Sequence, residues 1–96
     1  MPDYRLSKRA REDLANVADY TIQTFGIAQS RMYRDALSRC FSMLAKSPGM
    51  GRSAEYIQPY LRRFEHQSHA IFYKPEKQGI LIIRVLHGSM DVLRHL

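Results

Sequence analysis

The sequence of 96 residues has a single cysteine, Cys40, which excludes an internal disulfide and therefore a secreted disulfide scaffold. No stretch approaches the roughly 20 apolar residues that a membrane-spanning helix needs, and the first residues lack the apolar run of a signal peptide. A chain of this length buries about two-thirds of its unfolded surface, which suffices for one core. We therefore expect a single cytoplasmic domain over residues 1–96 that contacts no membrane.

Motifs for metal, phosphate or covalent chemistry are also lacking. Cys40 falls on an apolar helix face, as a core residue does, and Gly49 and Gly51 lack the lysine and helix that follow in a phosphate-binding loop. Metal-ligand spacing is absent from the four histidines, which are His66, His69, His87 and His95. We expect no cofactor, no metal ion and no catalytic residue.

Positive charge is what the sequence has in excess. Fifteen lysines and arginines against nine aspartates and glutamates give a net charge of +6. Residues 1–26 are balanced, so the whole excess lies after Gly26. Such a surface attracts nucleic acid, an acidic protein segment or an acidic patch on a larger target, and the composition does not choose among them.

The apolar pattern of the first half predicts a strand and two helices. Residues 4–7 are typical of a short strand, and Ser7 is a suitable cap for the helix that follows. Apolar residues recur at steps of three and four up to Phe25 and again from Tyr33 to Leu44, and Gly26 separates the two runs. This spacing predicts an antiparallel helical hairpin.

The second half alternates with a period of two and predicts three strands. After an irregular connection of about a dozen residues from Pro48, the predicted strands cover residues 60–66, 69–74 and 79–87. Short connections make them an antiparallel meander, so the fold class is α+β, with an N-terminal strand and a helical hairpin packed on a small antiparallel sheet.

The last strand is apolar on both faces, which poses a problem of cover. Leu81, Ile83 and Val85 are predicted on one face, and Ile80, Ile82 and Leu86 on the other. A helical hairpin covers only one face of a small sheet. The other must be covered by a partner or by the C-terminal segment Ser89–Leu96 folding back over it.

An ordered set of short motifs along nearly the whole chain resembles one known family, the ParE toxins of the RelE/ParE superfamily, which are the toxic halves of bacterial type II toxin–antitoxin modules. The set comprises Tyr4-Arg5-Leu6, Asp13-Leu14, Phe25-Gly26, Leu44-Ala45, Gly51-Arg52, Leu61-Arg62-Arg63-Phe64, His69-Ala70-Ile71-Phe72-Tyr73, Ile83-Arg84-Val85-Leu86-His87 and Met90-Asp91. The chain departs from the family at Gln58-Pro59-Tyr60, where a glycine often precedes Leu-Arg-Arg.

The resemblance implies a toxin that inhibits DNA gyrase, thereby blocking replication, and that is neutralised by an antitoxin of the ParD type. In such a complex the C-terminal part of the antitoxin wraps the toxin. An antitoxin segment with apolar anchors and acidic side chains would suit both an open apolar face and the net charge. We expect no direct DNA binding by the toxin alone.

Two groups of residues are candidate binding sites on this reading. Antitoxin contacts are expected at Arg62, Arg63, Ile80, Ile82, Arg84 and Leu86, although the arginines could instead pack or form ion pairs, and the apolar residues could be ordinary core. Target contacts are expected at Met90, Asp91, Leu93 and Leu96, for which the alternative role is cover of the sheet.

Two other functions remain open. A metal-free, ribosome-dependent mRNA endonuclease of the RelE type could use Arg62, Arg63, Arg84 and His87, but the chain lacks the C-terminal tyrosine found in such relatives. A plain nucleic-acid-binding module is motivated by charge alone.

Overall fold

The computed structural model describes residues 3–88 and 90–96, so Met1, Pro2 and Ser89, which belong to the predicted domain and cover segment, lie outside the described residues. A two-helix hairpin packs on one face of a five-stranded sheet. In chain order the elements are β1 (Asp3–Leu6), α1 (Lys8–Phe25), α2 (Ile27–Lys46), a 3-10 turn (Pro48–Met50), β2 (Arg52–Ser53), β3 (Arg62–His66), β4 (His69–Glu76), β5 (Gly79–His87) and α3 (Val92–His95).

The helical hairpin is held by one cap and one glycine. The Ser7 hydroxyl accepts a hydrogen bond from the Ala10 N–H at 3.0 Å and so satisfies a free amide at the start of α1. Gly26, at a φ of 92°, donates its N–H to the Ile22 carbonyl and accepts from the Ser30 N–H. Glycine adopts this backbone conformation without strain, which lets one residue end α1 and begin α2. The predicted hairpin is confirmed.

The strand order is β1-β5-β4-β3-β2. Strands β2 to β5 pair antiparallel, whereas β1 lies parallel to β5, which makes the sheet mixed. A Cβ at Gly79, which has a φ of 132°, would lie 1.7 Å from the Asp3 carbonyl oxygen, so glycine allows β1 to approach. The predicted α+β fold is confirmed, and the short strand β2 is an addition within the predicted irregular connection.

A β-bulge changes which residues of β5 share a face. Tyr73 pairs with Ile82 and Phe72 with Arg84, so Ile83 is an extra residue without a partner on β4. The face assignment made from strict alternation is therefore wrong: Ile80 and Ile82 share the helix-covered core with Val85 and are 0% exposed. Since neither side chain reaches the surface, their predicted antitoxin contacts are corrected to core packing.

The second face of the sheet is covered by the chain itself. Leu86, which is 1% exposed, packs with Phe72 and Leu61 in a second core. Ile57 from the preceding loop, together with Val92 and Leu96 at the C-terminal end, packs against this core. The C-terminal segment therefore contributes to the cover, as the alternative to a partner predicted, and the antitoxin contact predicted for Leu86 is also corrected.

A tyrosine fixes the turn that follows α2. The Tyr73 hydroxyl accepts from the Gly51 N–H at 2.9 Å and donates to the Pro48 carbonyl at 2.6 Å. A Cβ on Gly51 would lie 2.3 Å from the same hydroxyl oxygen, whereas a Cβ on Gly49 would meet nothing within 4 Å. The close approach of Tyr73 is therefore the reason that position 51 is glycine.

We predict that Gly51→Ala lowers the free energy of unfolding by about 1–3 kcal/mol, because the added methyl group must displace the buried Tyr73 hydroxyl. Gly49→Ala is the matched control and should change stability by less than about 0.5 kcal/mol. Urea denaturation of the two variants measures the difference. Equal stabilities would contradict the role of Tyr73 in fixing this turn.

Candidate functional site

The most buried charged pair of the described residues joins α1 to β5. Arg84 donates from Nε to Asp13 Oδ2 at 2.8 Å and from Nη2 to Asp13 Oδ1 at 2.9 Å, a bidentate ion pair that raises the pKa of Arg84. Oδ2 of Asp13 also accepts the Val85 N–H at 2.9 Å. Because β1 pairs with β5 only as far as Ile82, the carboxylate satisfies an amide on the edge that β1 leaves uncovered.

Arg84 reaches the C-terminal segment as well, since its Nη1 donates to the carbonyl of His95. The residue is 8% exposed, and its side chain is hydrogen-bonded to two other elements of its own chain, α1 and α3. Its predicted antitoxin contact is therefore corrected to the alternative role, ion pairing within the fold. The ribonuclease hypothesis requires Arg84 to contact a phosphate, and a guanidinium with these partners is poorly placed to do so.

Arg62 and Arg63 lie next to each other on β3 and have different surroundings. Arg62 donates from Nε to the Gly51 carbonyl at 2.8 Å, which ties β3 to the turn after α2. Arg63 binds Glu65, its Nε 2.5 Å from Oε1, and its Cζ lies 5.3 Å from the centre of the Phe72 ring. Both side chains are half-buried, so each retains some surface for a partner. Their predicted antitoxin contacts stay predictions.

A cluster of rings lies where β3, β4 and β5 approach α2. The Tyr33 hydroxyl is 2.6 Å from Nδ1 of His69, and the His69 ring meets the His87 ring edge-on at a centroid distance of 5.6 Å. His66 lies 5.8 Å from the Tyr33 ring, and its Nε2 is buried without a hydrogen-bond partner among the described residues. The sequence pattern places His66 and His69 at one strand turn, and the structure adds His87, which lies opposite His69 in the pairing of β4 with β5.

The pKa of His69 is lowered, chiefly because burial disfavours the imidazolium and also because of the charges of His87 and His66. In neutral His69, Nδ1 can accept a hydrogen bond from the Tyr33 hydroxyl. Protonation of the His69 ring would remove this acceptor. A cleft of about 380 Å³ between α1 and the ends of β4 and β5 has His69 and His87 on its wall. No nearby cation completes a set for phosphate chemistry among the residues that line it.

The predicted target residues divide between surface and cover. Leu93, which is 70% exposed, and Met90, also exposed, are accessible to a partner. Asp91 accepts the Leu93 N–H through its carboxylate and so caps α3, while Leu96 is half-buried against the second core. Two of the four residues therefore present apolar surface, and target contact at all four stays a prediction.

An apolar groove runs between α1 and α2 toward β1, with a volume of about 300 Å³. Small residues border it on both helices, and Leu14, Leu37 and Phe41 form much of its floor; the small ones are Ala15, Ala18, Ser30 and Ser38. Sequence analysis missed this groove. The feature of the sequence that could have indicated the groove is the set of small residues on the facing sides of two otherwise amphipathic helices.

Within residues 3–88 and 90–96, no three His, Cys, Asp or Glu side chains are grouped so that they could hold a metal ion. None of the helices in the described part of the chain is long and apolar enough to cross a membrane.

We predict that the folded chain loses stability on acidification from about pH 7.5 to 5.5, because unfolded His69 takes up a proton near pH 6.5 and the folded residue does so only at lower pH. The stability is complete above the unfolded pKa and falls as the pH drops toward the folded one. His69→Gln should flatten this part of the profile, measured by urea denaturation at each pH. A variant with the wild-type slope would contradict the assignment.

The sequence matches a family model described as the ParE toxin of the type II toxin–antitoxin system parDE over residues 4–92. A Toxin ParE1 from Caulobacter vibrioides is 40% identical over 96 residues, covering 100% of this chain and 99% of the relative. A Toxin ParE1 from Mycobacterium tuberculosis is 34% identical over 94 residues, covering 97% of this chain and 96% of the relative.

A solved structure also matches this fold. A chain of the chromosomal ParDE toxin–antitoxin system from P. aeruginosa superposes with a TM-score of 0.74 at 16% identity, covering 91% of this chain and 96% of that one. The structural match supports the fold, and the family model together with the sequence relatives decides the assignment. The chain belongs to the ParE toxin family of type II toxin–antitoxin systems.

Proposed function

We propose that this ParE toxin acts in the cytoplasm by binding DNA gyrase and blocking replication, without chemistry of its own, and that an antitoxin of the ParD type neutralises it. The observation that carries the proposal is the family match over residues 4–92. Relatives named as ParE toxins, matched over nearly their whole length, support the same function.

The hydrogen bonds of the sheet arginines support a toxin that acts by binding and not by catalysis. The ribonuclease hypothesis needs Arg62 and Arg84 free to stabilise phosphate, and both are hydrogen-bonded within the fold. They also lie on β3 and β5, which are separated by β4. Exposed apolar residues such as Leu93 instead offer the kind of surface that protein recognition uses.

For the antitoxin we propose the groove between α1 and α2 as a main anchor. Its floor is apolar, and the exposed Arg34 stands at its rim, so a segment with apolar anchors and acidic flanks would fit. The proposal replaces the contacts first expected at Ile80, Ile82 and Leu86, which are core residues. Arg62 and Arg63 remain proposed contacts on the sheet.

We predict that the purified toxin inhibits gyrase supercoiling in a dose-dependent manner, and that an equimolar amount of cognate antitoxin restores the activity. Leu93→Ala should weaken inhibition about fivefold or more at unchanged stability, because this side chain is exposed and contributes no core packing. Met32→Ala, which truncates an exposed residue on α2, is the matched control and should inhibit like wild type.

Full gyrase activity at saturating toxin would contradict the proposed target. Codon-placed cuts in translated mRNA during growth arrest would instead support the endonuclease. Inhibition unchanged by Leu93→Ala would remove the C-terminal segment from the target contacts.

A further inference from the structure

The loop between β2 and β3, residues 54–61, is a closed and well-anchored structure. The Ala54 N–H donates to the Leu61 carbonyl at 2.8 Å, and the Ile57 N–H donates to the Ala54 carbonyl at 2.9 Å. Ala54 and Leu61 are fully buried in the second core, and Ile57 packs against it. The loop backbone is therefore held in one position, which lowers the entropic cost of using it for recognition.

This loop presents two tyrosines to solvent. Tyr56 is 74% exposed and Tyr60 is 75% exposed, more than any other large hydrophobic residue in the described part of the chain. Neither ring contributes core packing that would explain its size. A large aromatic side chain left in solvent on an ordered loop is typical of a recognition residue.

Tyr60 also has a strained backbone. Its φ is 65°, a conformation that favours glycine, and its N–H is held by the Glu55 carboxylate at 3.1 Å. Glycine would make the same turn without strain. The exposed Tyr60 ring gains no core packing that would offset the cost of this strain. Backbone strain kept at an exposed side chain is a feature of functional sites.

Arginines flank the loop, and there are more of them than carboxylates paired with them. Among the described residues, Arg52 and Arg63 form ion pairs with the same carboxylate, that of Glu65. A hydrogen bond from Arg63 to Glu65 is the main cause that raises the pKa of Arg63, and the Tyr56 hydroxyl contributes to the same shift. Tyrosine and arginine are among the residues most enriched at the energetic centres of protein interfaces.

We propose that the Ala54–Leu61 loop is a target-contacting element, in which Tyr56 and Tyr60, with Arg52 in the strand directly before the loop, bind an acidic surface of the protein that the toxin inhibits. The inference rests on the proposed function insofar as the target is a protein. Residues of the loop and of α3 pack on the same second core, so these two elements lie on the same side of the sheet.

A protein partner fits this surface better than a nucleic acid. Glu55 and Glu65 stand among the arginines and would repel a phosphate backbone. An acidic protein surface can pair a carboxylate with Arg52 and pack its aliphatic groups on the tyrosine rings.

The decisive variant is Tyr60→Gly, because it separates recognition from folding. Glycine relieves the strain, so the melting temperature should stay the same or rise, whereas inhibition of gyrase should weaken. Combined with Tyr56→Ala, it should raise the toxin concentration for half-inhibition by at least about tenfold. Tyr20→Ala, which removes an exposed tyrosine from α1, is the matched control and should inhibit like wild type.

Antitoxin affinity, measured by calorimetry on the same double variant, should stay within about twofold of wild type. Wild-type inhibition by the double variant would overturn the inference, as would a parallel loss of antitoxin affinity, which would assign the loop to the antitoxin. Binding of a short single-stranded oligonucleotide that the double variant loses would also overturn it in favour of nucleic acid.

Failure of the proposal for the loop can be distinguished from failure of the proposal that gyrase is the target. If wild-type toxin leaves gyrase active but arrests growth on expression, the proposed target is wrong and the arrest becomes the readout. Relief of arrest by the double variant, with the fold intact, would then support the loop, and unchanged arrest would overturn it. A wild-type chain that neither inhibits gyrase nor arrests growth would overturn both proposals.

Discussion

The bidentate pair between Asp13 and Arg84 is the interaction on which the arrangement of this toxin depends. It links α1 to β5, satisfies the Val85 amide on the open edge of the sheet, and reaches the C-terminal segment through the His95 carbonyl. Both side chains are almost fully buried, so either one left alone would be an uncompensated charge. The hairpin, the sheet and the C-terminal cover are thereby coupled in one structure.

This coupling bears on function because it keeps both faces of the sheet buried. Partners can therefore contact mainly the elements that cover the sheet. Both faces of β5 are buried by the chain itself, one beneath the hairpin and the other beneath the loop and α3. Exposed apolar side chains remain on the loop and on α3, among them Tyr56, Tyr60 and Leu93. In our account the toxin binds its target through these covering elements, and the antitoxin is anchored in the groove on the hairpin side.

The sequence predicted the elements of the fold well, because periodicity, the cap at Ser7 and the break at Gly26 are local signals. It failed at Ile80 and Ile82, because a bulge at Ile83 depends on pairing with β4, and a strictly alternating pattern cannot show it. Arg84 could not be assigned for a similar reason: its partner Asp13 is 71 residues away. The strain at Tyr60 is likewise a backbone property, although the departure from glycine at this position was visible in the sequence.

The central claim is that Arg84 is a structural tie and not a surface contact, and a double-mutant cycle of Asp13→Asn and Arg84→Gln tests it most directly. Each single substitution should lower the free energy of unfolding by about 3 kcal/mol, because it leaves one buried group unpaired. The double variant should lose much less than the sum of the two, which gives a coupling energy of about 2 kcal/mol. Small and additive losses, with a coupling energy below about 0.5 kcal/mol, would contradict the account.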